Sequence, residues 1–363
     1  MRATNQARDL GQSLWLDNIN RDMLENGLLR QYADEYSITG LTSNPTIFER
    51  AIRSSNLYDK QIECLLQDAI VDEQLLFDLM LSDLRRAAEI FLPRYHQTDG
   101  VDGFVSLEIS PFLADDFQGS AAEAQKLHAR AGISNLFIKI PGTESGLIAI
   151  EESIARGIPI NVTLLFSPDQ YLGSAEAYMR GLERRLEQGL SLDVPSVASI
   201  FVSRWDHAVH DSVSPSHRNQ LGLAIAKEAL SGYRKSMCSD RWQRLAANGA
   251  RPQRLLFAST GVKDDNLPGD YYASALVQPN TINTLPASTL RVFHERDREL
   301  SERSTCELDI EHVFGAHAAH GIDIQSLAAR LQRQGVLAFE DAWRTLLSTL
   351  QANGRAMLET QSF

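Results

Sequence analysis

The 363-residue chain is expected to form a single (β/α)8 barrel, of the TIM type, with additional helices, mainly C-terminal. Three observations predict this. Short apolar runs suited to buried strands recur eight times, helix-like segments separate them, and polar residues interrupt the runs near their C-terminal ends. A doubly wound open sheet is the alternative, but no GxGxxG or P-loop pattern supports it.

The runs, in order, are SLWLD (13–17), SITGLT (37–42), GFVSLEI (103–109), NLFIKI (135–140), IPINVTLLF (158–166), SVASIFV (196–202), RLLFAST (254–260) and ALVQPNTI (275–282). Pro279 makes the last a short or bent strand, because proline cannot donate to a ladder. Residues 71–92 carry an apolar stripe at helical spacing. Residues 167–189 open with Ser167 as an N-cap and Pro168 at the first helical position. The stretch 205–250 should hold two helices, and 287–363 several, including a long one over 339–358. No Pro/Gly/Ser-rich linker marks a boundary, so residues 1–363 are treated as one domain with these helical extensions.

Composition narrows the function. Hydrophobic residues make up 43% and charged residues 23%, as in ordinary globular proteins. No apolar stretch is long enough for a membrane span, and the N-terminus MRATNQARDLGQSLW lacks the apolar core of a secretory signal. A cytoplasmic protein is expected. The net charge of −12 argues against non-specific nucleic-acid binding. Any phosphate-bearing ligand would therefore need local positive charge. Cys64, Cys238 and Cys306 are widely spaced and read as reduced thiols. His207 and His210 lack the partners of a metal site.

The informative residues are the polar ones. Side chains two apart on a strand share a face, and barrel strands bury both faces, so each polar residue needs a reason. Lys139 interrupts LFIKI and Glu108 interrupts VSLEI. Asp17 shares a face with Trp15, Thr42 with Asn44, Asn161 with Thr163, and Ser199 with Phe201; Ser259 ends LLFAS. An amine desolvated by apolar neighbours becomes available as a nucleophile. One amine, two carboxylates, amides and hydroxyls suit imine chemistry on a polyhydroxylated carbonyl compound.

Each residue also has a plainer reading. Lys139 and Glu108 could be a structural ion pair. Asp17 could cap the helix suggested by NINRDMLENGLL, Thr163 could be a β-branched filler, and Asn44 before Pro45 could be a turn residue. Their joint recurrence at strand ends favours the chemical reading.

These residues sit in segments that resemble the transaldolase family in the same order: GLTSNPTIF (40–48), LFIKIPGTESGLIAIEES (136–153), INVTLLFS (160–167), SIFVSRWD (199–206) and FASTGVKD (257–264). The resemblance runs from about residue 11 to the C-terminal helix and is nearest to a bacterial branch. It implies transfer of a dihydroxyacetone unit from sedoheptulose 7-phosphate to glyceraldehyde 3-phosphate, within the non-oxidative pentose phosphate pathway. Lys139 would form the Schiff base. Glu108, with Thr163 and a water, would serve carbinolamine formation and hydrolysis. Asp17 would take the C4 hydroxyl proton. Asn44 and Asn161 would bind the dihydroxyacetone part, within a shell of Thr42, Ser199 and Phe201. Arg204, out of parity with Ser199 and Phe201, would reach phosphate from beyond the strand. Many relatives place a second arginine shortly after the position of Ser259, where this chain has STGVKD, two residues longer, with Lys263 as the nearest cation. A proline common in the PGTESG loop is replaced by Ser145, which puts the loop's rigidity in question.

The resemblance implies no metal or other cofactor, since a protonated imine is itself an electron sink. It implies sugar-phosphate substrates and leaves a homodimer open, the extra C-terminal helices either covering the site or forming an interface. Two rivals remain. Fructose-6-phosphate aldolases are similar but shorter, and usually carry glutamine and tyrosine where Glu108 and Phe201 stand. A catalytically silent barrel acting as a binding protein is disfavoured by intact Asp17, Glu108 and Lys139.

Overall fold

The computed structural model describes residues 1–296, 299–300 and 308–360, with side chains to 354. Eight parallel strands form one sheet: β1 Ser13–Leu16, β2 Ile38–Leu41, β3 Val105–Glu108, β4 Leu136–Pro141, β5 Ile160–Leu165, β6 Ser196–Phe201, β7 Arg254–Ala258 and β8 Ile282–Leu285. Their order is β2-β1-β8-β7-β6-β5-β4-β3. Backbone bonds Leu41 N to Phe104 O (3.0 Å) and Ser43 N to Ser106 O (3.2 Å) bridge the two ends and bring the sheet round into a barrel. Gly40 lets that seam close. A Cβ there would meet Phe104 O at 2.6 Å and the Trp15 indole at 2.8 Å.

Six strands fall within their expected runs, and β4 runs one residue past its own, to Pro141. The eighth departs further: ALVQPNTI contributes only its last residue, Ile282, to β8. Ala275 ends a short helix, and Asn280 turns the chain at φ +60° before the true strand begins. Proline's missing donor keeps Pro279 out of the ladder and pushes the strand C-terminal to it.

Helices cover the outside of the sheet. Helix Asp72–Gln97 continues through Pro93, past the expected stop at residue 92. Helix Pro168–Glu187 begins as expected, with Ser167 Oγ accepting from Gln170 N at 3.1 Å. Three α-helices rather than two occupy 203–247: Ser203–Val209, Leu221–Met237 and Asp240–Ala247. Beyond β8 come Ala287–Glu295, Ile310–Ala319 and the 37-residue Ile324–Thr360. No helix among the described residues is long and apolar enough to cross a membrane.

The helices bury their apolar faces on the barrel's exterior, while a smaller cluster plugs its interior: Trp15, Phe104, Phe137, Val197, Leu256, Ala258 and Ile282. Trp15, Phe137 and Val197 lie two residues before Asp17, Lys139 and Ser199, so strand alternation places the polar set above the apolar plug.

Helix Ile324–Thr360 is strapped across the barrel mouth. Gln332 Nε2 donates to Gly142 O (2.9 Å) and Leu164 O (3.0 Å), and Trp343 Nε1 donates to Glu73 Oε1 (2.6 Å). Leu164 has φ +55° at a break in the β5–β6 register. Such a bulge interrupts the ladder locally and frees its carbonyl for Gln332.

Candidate active site

A cavity of about 170 Å³ opens at the C-terminal end of the strands. Its lining includes Asp17, Thr42, Asn44, Lys139, Thr163, Ser199, Phe201, Arg204, Ser259 and Lys263, all singled out in the sequence. Glu108 and Asn161 are buried and stand behind this wall. The parallel topology explains the gathering, because it delivers the last residues of every strand to one end.

Lys139 is 7% exposed, and its Nζ lies 2.7 Å from Glu108 Oε2 and 3.1 Å from Ser43 O. The register Glu108↔Lys139 between β3 and β4 sets the pair side by side. The amine is thus held by a carboxylate rather than by apolar walls alone. The ammonium contact lies off the ideal hydrogen-bond direction, and Oε2 has no other donor. Thr163 Oγ1 donates to Glu108 Oε1 at 3.2 Å, so the threonine is a polar partner and not a mere filler.

Asp17 follows β1 and receives Thr42 Oγ1 at 2.9 Å, while Thr42 also meets Thr284 Oγ1 at 3.2 Å. The helix-cap reading of Asp17 fails, because Asn20 caps helix Arg21–Glu25 by accepting from Met23 N. Asp17 is partly open to the cavity, yet burial dominates and raises its carboxyl above the usual aspartate range. The Lys139 charge and hydrogen bonds from Thr42 and Asn44 pull the other way. Asn44 has two parts, lining the cavity and capping helix Pro45–Ser54 by accepting from Thr46 N.

Asn161 occupies the layer below. Its Nδ2 donates to Ser106 Oγ at 3.3 Å, and its Oδ1 accepts from Ser199 Oγ at 2.7 Å. It orients Ser199, which does line the cavity.

Arg204 lies just beyond β6, in the first turn of helix Ser203–Val209, with its guanidinium carbon 5.4 Å from the Phe201 ring centre. Lys263 faces the same cavity from the loop after β7. Burial lowers Arg204; burial and then the Arg204 charge lower Lys263. Neither has a carboxylate within 4.0 Å among the described residues, so this rim carries unpaired positive charge. Ser259 stands between them and the strand end in a left-handed conformation, φ +55°, with Ser203 Oγ 3.1 Å away. Uncommon φ values of this kind occur at sites that must aim a group.

Ser145 leaves no loose loop. Thr143 accepts from Gly146 N and donates to Ala114 O at 2.6 Å, and the chain enters helix Glu144–Ala155 directly.

Three contributors escaped the sequence reading. Ser43 acts through its carbonyl, for which no side-chain signal exists. Thr284 was missed because β8 was set too early; alternation in INTL would have found it. Phe339 arrives from helix Ile324–Thr360, and periodicity cannot tell which barrel face a distant helix will cover.

No group of three or more His, Cys, Asp or Glu side chains able to hold a metal occurs among the described residues. Cys64 and Cys238 are exposed free thiols; Cys306 lies outside the described residues.

Comparison with known proteins shows the family. The family model Transaldolase/Fructose-6-phosphate aldolase matches residues 14–350. A protein named Transaldolase from Frankia alni is 41% identical over 95% of this chain and 96% of its own length. Another from Kocuria rhizophila is 42% identical over 96% and 97%. Transaldolase 2 from a Nostoc species is 35% identical over 95% and 96%. With matches spanning nearly the whole chain, and a buried lysine paired to a carboxylate at the barrel mouth, the protein belongs to the transaldolase/fructose-6-phosphate aldolase family.

Proposed function

We propose that the protein is a transaldolase acting through a Schiff base on Lys139, moving a dihydroxyacetone unit from sedoheptulose 7-phosphate to glyceraldehyde 3-phosphate. Erythrose 4-phosphate and fructose 6-phosphate are the products, as in the non-oxidative pentose phosphate pathway, and the enzyme works in the cytoplasm. The observation that carries this reading is the Lys139–Glu108 contact of 2.7 Å at a cavity that also holds Asp17.

Lys139 must lose a proton before it attacks the ketose C2, and Glu108 is the adjacent base. The same carboxylate, held by Thr163, then passes a proton to the departing hydroxyl of the carbinolamine, which leaves as water. Asp17, made more basic by burial, accepts the C4 hydroxyl proton. The C3–C4 electron pair moves into the iminium, the first aldose phosphate departs, and an enamine stays on Lys139. That enamine attacks the acceptor aldehyde, and Asp17 returns its proton to the new alkoxide. Water then releases the product from the lysine. Asn44 and Ser199, the latter steadied by Asn161, bind the three-carbon unit within walls of Thr42 and Phe201. Arg204 and Lys263, with Ser259 beside them, bind phosphate; arginine supplies a planar fork and lysine a point charge.

Borohydride trapping tests the reading. After incubation with fructose 6-phosphate, peptide mass spectrometry should find a three-carbon adduct on Lys139, discharged when erythrose 4-phosphate precedes the borohydride. Absence of the adduct refutes the mechanism. An adduct that water clears without acceptor points to free dihydroxyacetone release, as in an aldolase.

A further inference from the structure

The larger cavity of the molecule is not the one with the chemistry. About 520 Å³ lies at the opposite, N-terminal end of the strands, reached by Ser13, Ser196 and Arg254, the first residues of β1, β6 and β7. One side is apolar, with the stacked Phe104 and Phe137 rings (4.1 Å between centres), Val197 and Trp242. The other side is basic. Arg8, Arg94, Arg251 and Arg254 all line it, in a protein of net charge −12.

These four arginines are not equivalent. Arg8 pairs with Asp9, and Arg251 with Asp193 and Asp99, so both are neutralised. Arg254 is a clamp at the barrel base, donating to Val101 O, Ser13 Oγ and Thr281 O. Asp102, which accepts from Ser13, Trp15 and Gly103 N, offsets its charge from nearby. Arg94 is left over. It donates only to Gln97 Oε1 at 3.2 Å, has no carboxylate within 4.0 Å among the described residues, and its buried Nε–H meets no acceptor. Arg94 and Arg254 also repel one another. A buried donor without an acceptor costs free energy, and two like charges facing one cavity add to it. An anion would remove both penalties.

We propose that this cavity binds a small organic anion, a phosphate or carboxylate on an apolar, ring-sized body, with Arg94 as the principal anion-binding residue and Arg254 beside it. Guanidinium forks suit both head groups, and the Phe104/Phe137/Trp242 wall suits the body. The site is separate from the Lys139 pocket, with the apolar plug of the barrel between them. It stands whether or not the proposed transfer reaction does.

Calorimetric titration of the full chain with phenyl phosphate, benzoate and inorganic phosphate tests the assignment. Phenyl phosphate should bind saturably to the wild type and equally to Arg204→Gln, which takes the guanidinium fork from the anion site at the other end. Affinity should fall at least about tenfold in Arg94→Gln and several-fold in Arg94→Lys, which keeps the charge but loses the fork. Both variants should keep wild-type transfer activity and melting behaviour. Inorganic phosphate should bind at least about tenfold more weakly than phenyl phosphate, lacking the apolar body. Loss of phenyl phosphate binding in Arg204→Gln would place the anion at the catalytic end and overturn the proposal. Unchanged affinity in folded Arg94→Gln and Arg94→Lys would also overturn it, as would no saturable binding of any probe.

Discussion

Two buried ion pairs stand out among the described residues, Arg21–Asp83 and Lys139–Glu108, and they are built differently. Arg21 and Asp83 approach to 2.8 Å where helices Arg21–Glu25 and Asp72–Gln97 meet. Their remaining capacity is used. Arg21 also donates to Gln61 Oε1 and Leu57 O and lies 4.3 Å from the Tyr58 ring centre, while the Tyr58 hydroxyl donates to Asp83 Oδ2. Lys139 and Glu108 are as close and as buried, yet their shell is incomplete. The lysine donates to Ser43 O, meets Glu108 in an ion contact off the hydrogen-bond direction, and lines an open cavity. On the proposed reading of Lys139, burial of opposite charges therefore does not distinguish a scaffold from a catalyst. Unspent hydrogen-bonding capacity facing a cavity does.

The contrast can be tested by breaking each pair. Lys139→Met should cut transfer by ~10⁵-fold or more, since Lys263, the other amine at this cavity, stands beside Arg204 on the loop after β7 and not beside Glu108. Paired with Glu108→Leu, which removes the stranded carboxylate, it should melt no lower than wild type, because apolar replacement of a buried pair is often neutral or stabilising. Circular-dichroism melts and single-turnover assays check both halves.

Asp17→Asn should lower kcat by ~10²–10⁴-fold, the usual contribution of a positioned acid/base. In the wild type the acid limb of the pH–rate profile should lie above the ordinary aspartate range, since Asp17 must be ionised to accept the proton and burial raises it. The sign for stability is the reverse. A raised carboxyl favours folding most below its unfolded value, and that advantage is lost as pH rises through the folded value. Asp17→Asn should therefore melt higher than wild type at neutral pH and lose that margin in acid. A mutant no more stable at pH 7 would show that Asp17 carries no burial penalty.

Arg21→Met should do what the double replacement of Lys139 and Glu108 does not. It strands Asp83, and unfolding free energy should drop by about 3–5 kcal/mol, while kcat per folded molecule holds. A large fall in kcat at constant stability would mean that this pair is coupled to the reaction. The smallest effect is expected at Gln332→Ala, which releases the carbonyls of Gly142 and Leu164. A loss of roughly 1–3 kcal/mol is expected, with KM affected more than kcat because Phe339 on the same helix forms part of the cavity wall.

Much of the site could be read from sequence because strands impose a period of two. Lys139, Glu108, Asn161 and Ser199 stood out as polar residues in apolar runs, and alternation fixed which neighbours would join them. The limits were also physical. In β8 an apolar run straddled a helix end and a proline turn, and without a helix-length clue the strand was set early. That cost Thr284. Ser43 contributes a main-chain oxygen, to which residue type is blind. Phe339 depends on where a 37-residue helix lies over the barrel, a tertiary fact with no local trace. Even Asn161, correctly placed on the inward face, is spent on its neighbours, because hydrogen-bond partners are chosen across strands far apart in sequence.

The sheet order has a consequence for the growing chain. Strand β1 emerges first from the ribosome but needs β8 as a neighbour, with Ser13 opposite Ile282, and Asp17 N bonds to Leu285 O at 2.9 Å. A nascent chain that has emerged through β6 carries both partners of the Lys139–Glu108 pair and the strands that set their register. Its Asp17 remains without that anchor until residues 202–285, 84 more, have been translated, at on the order of 5–20 residues per second. On the proposed mechanism, Lys139 thus has its partner seconds ahead of Asp17. A stalled translation product would be expected to capture a ketose as an imine and be unable to turn it over.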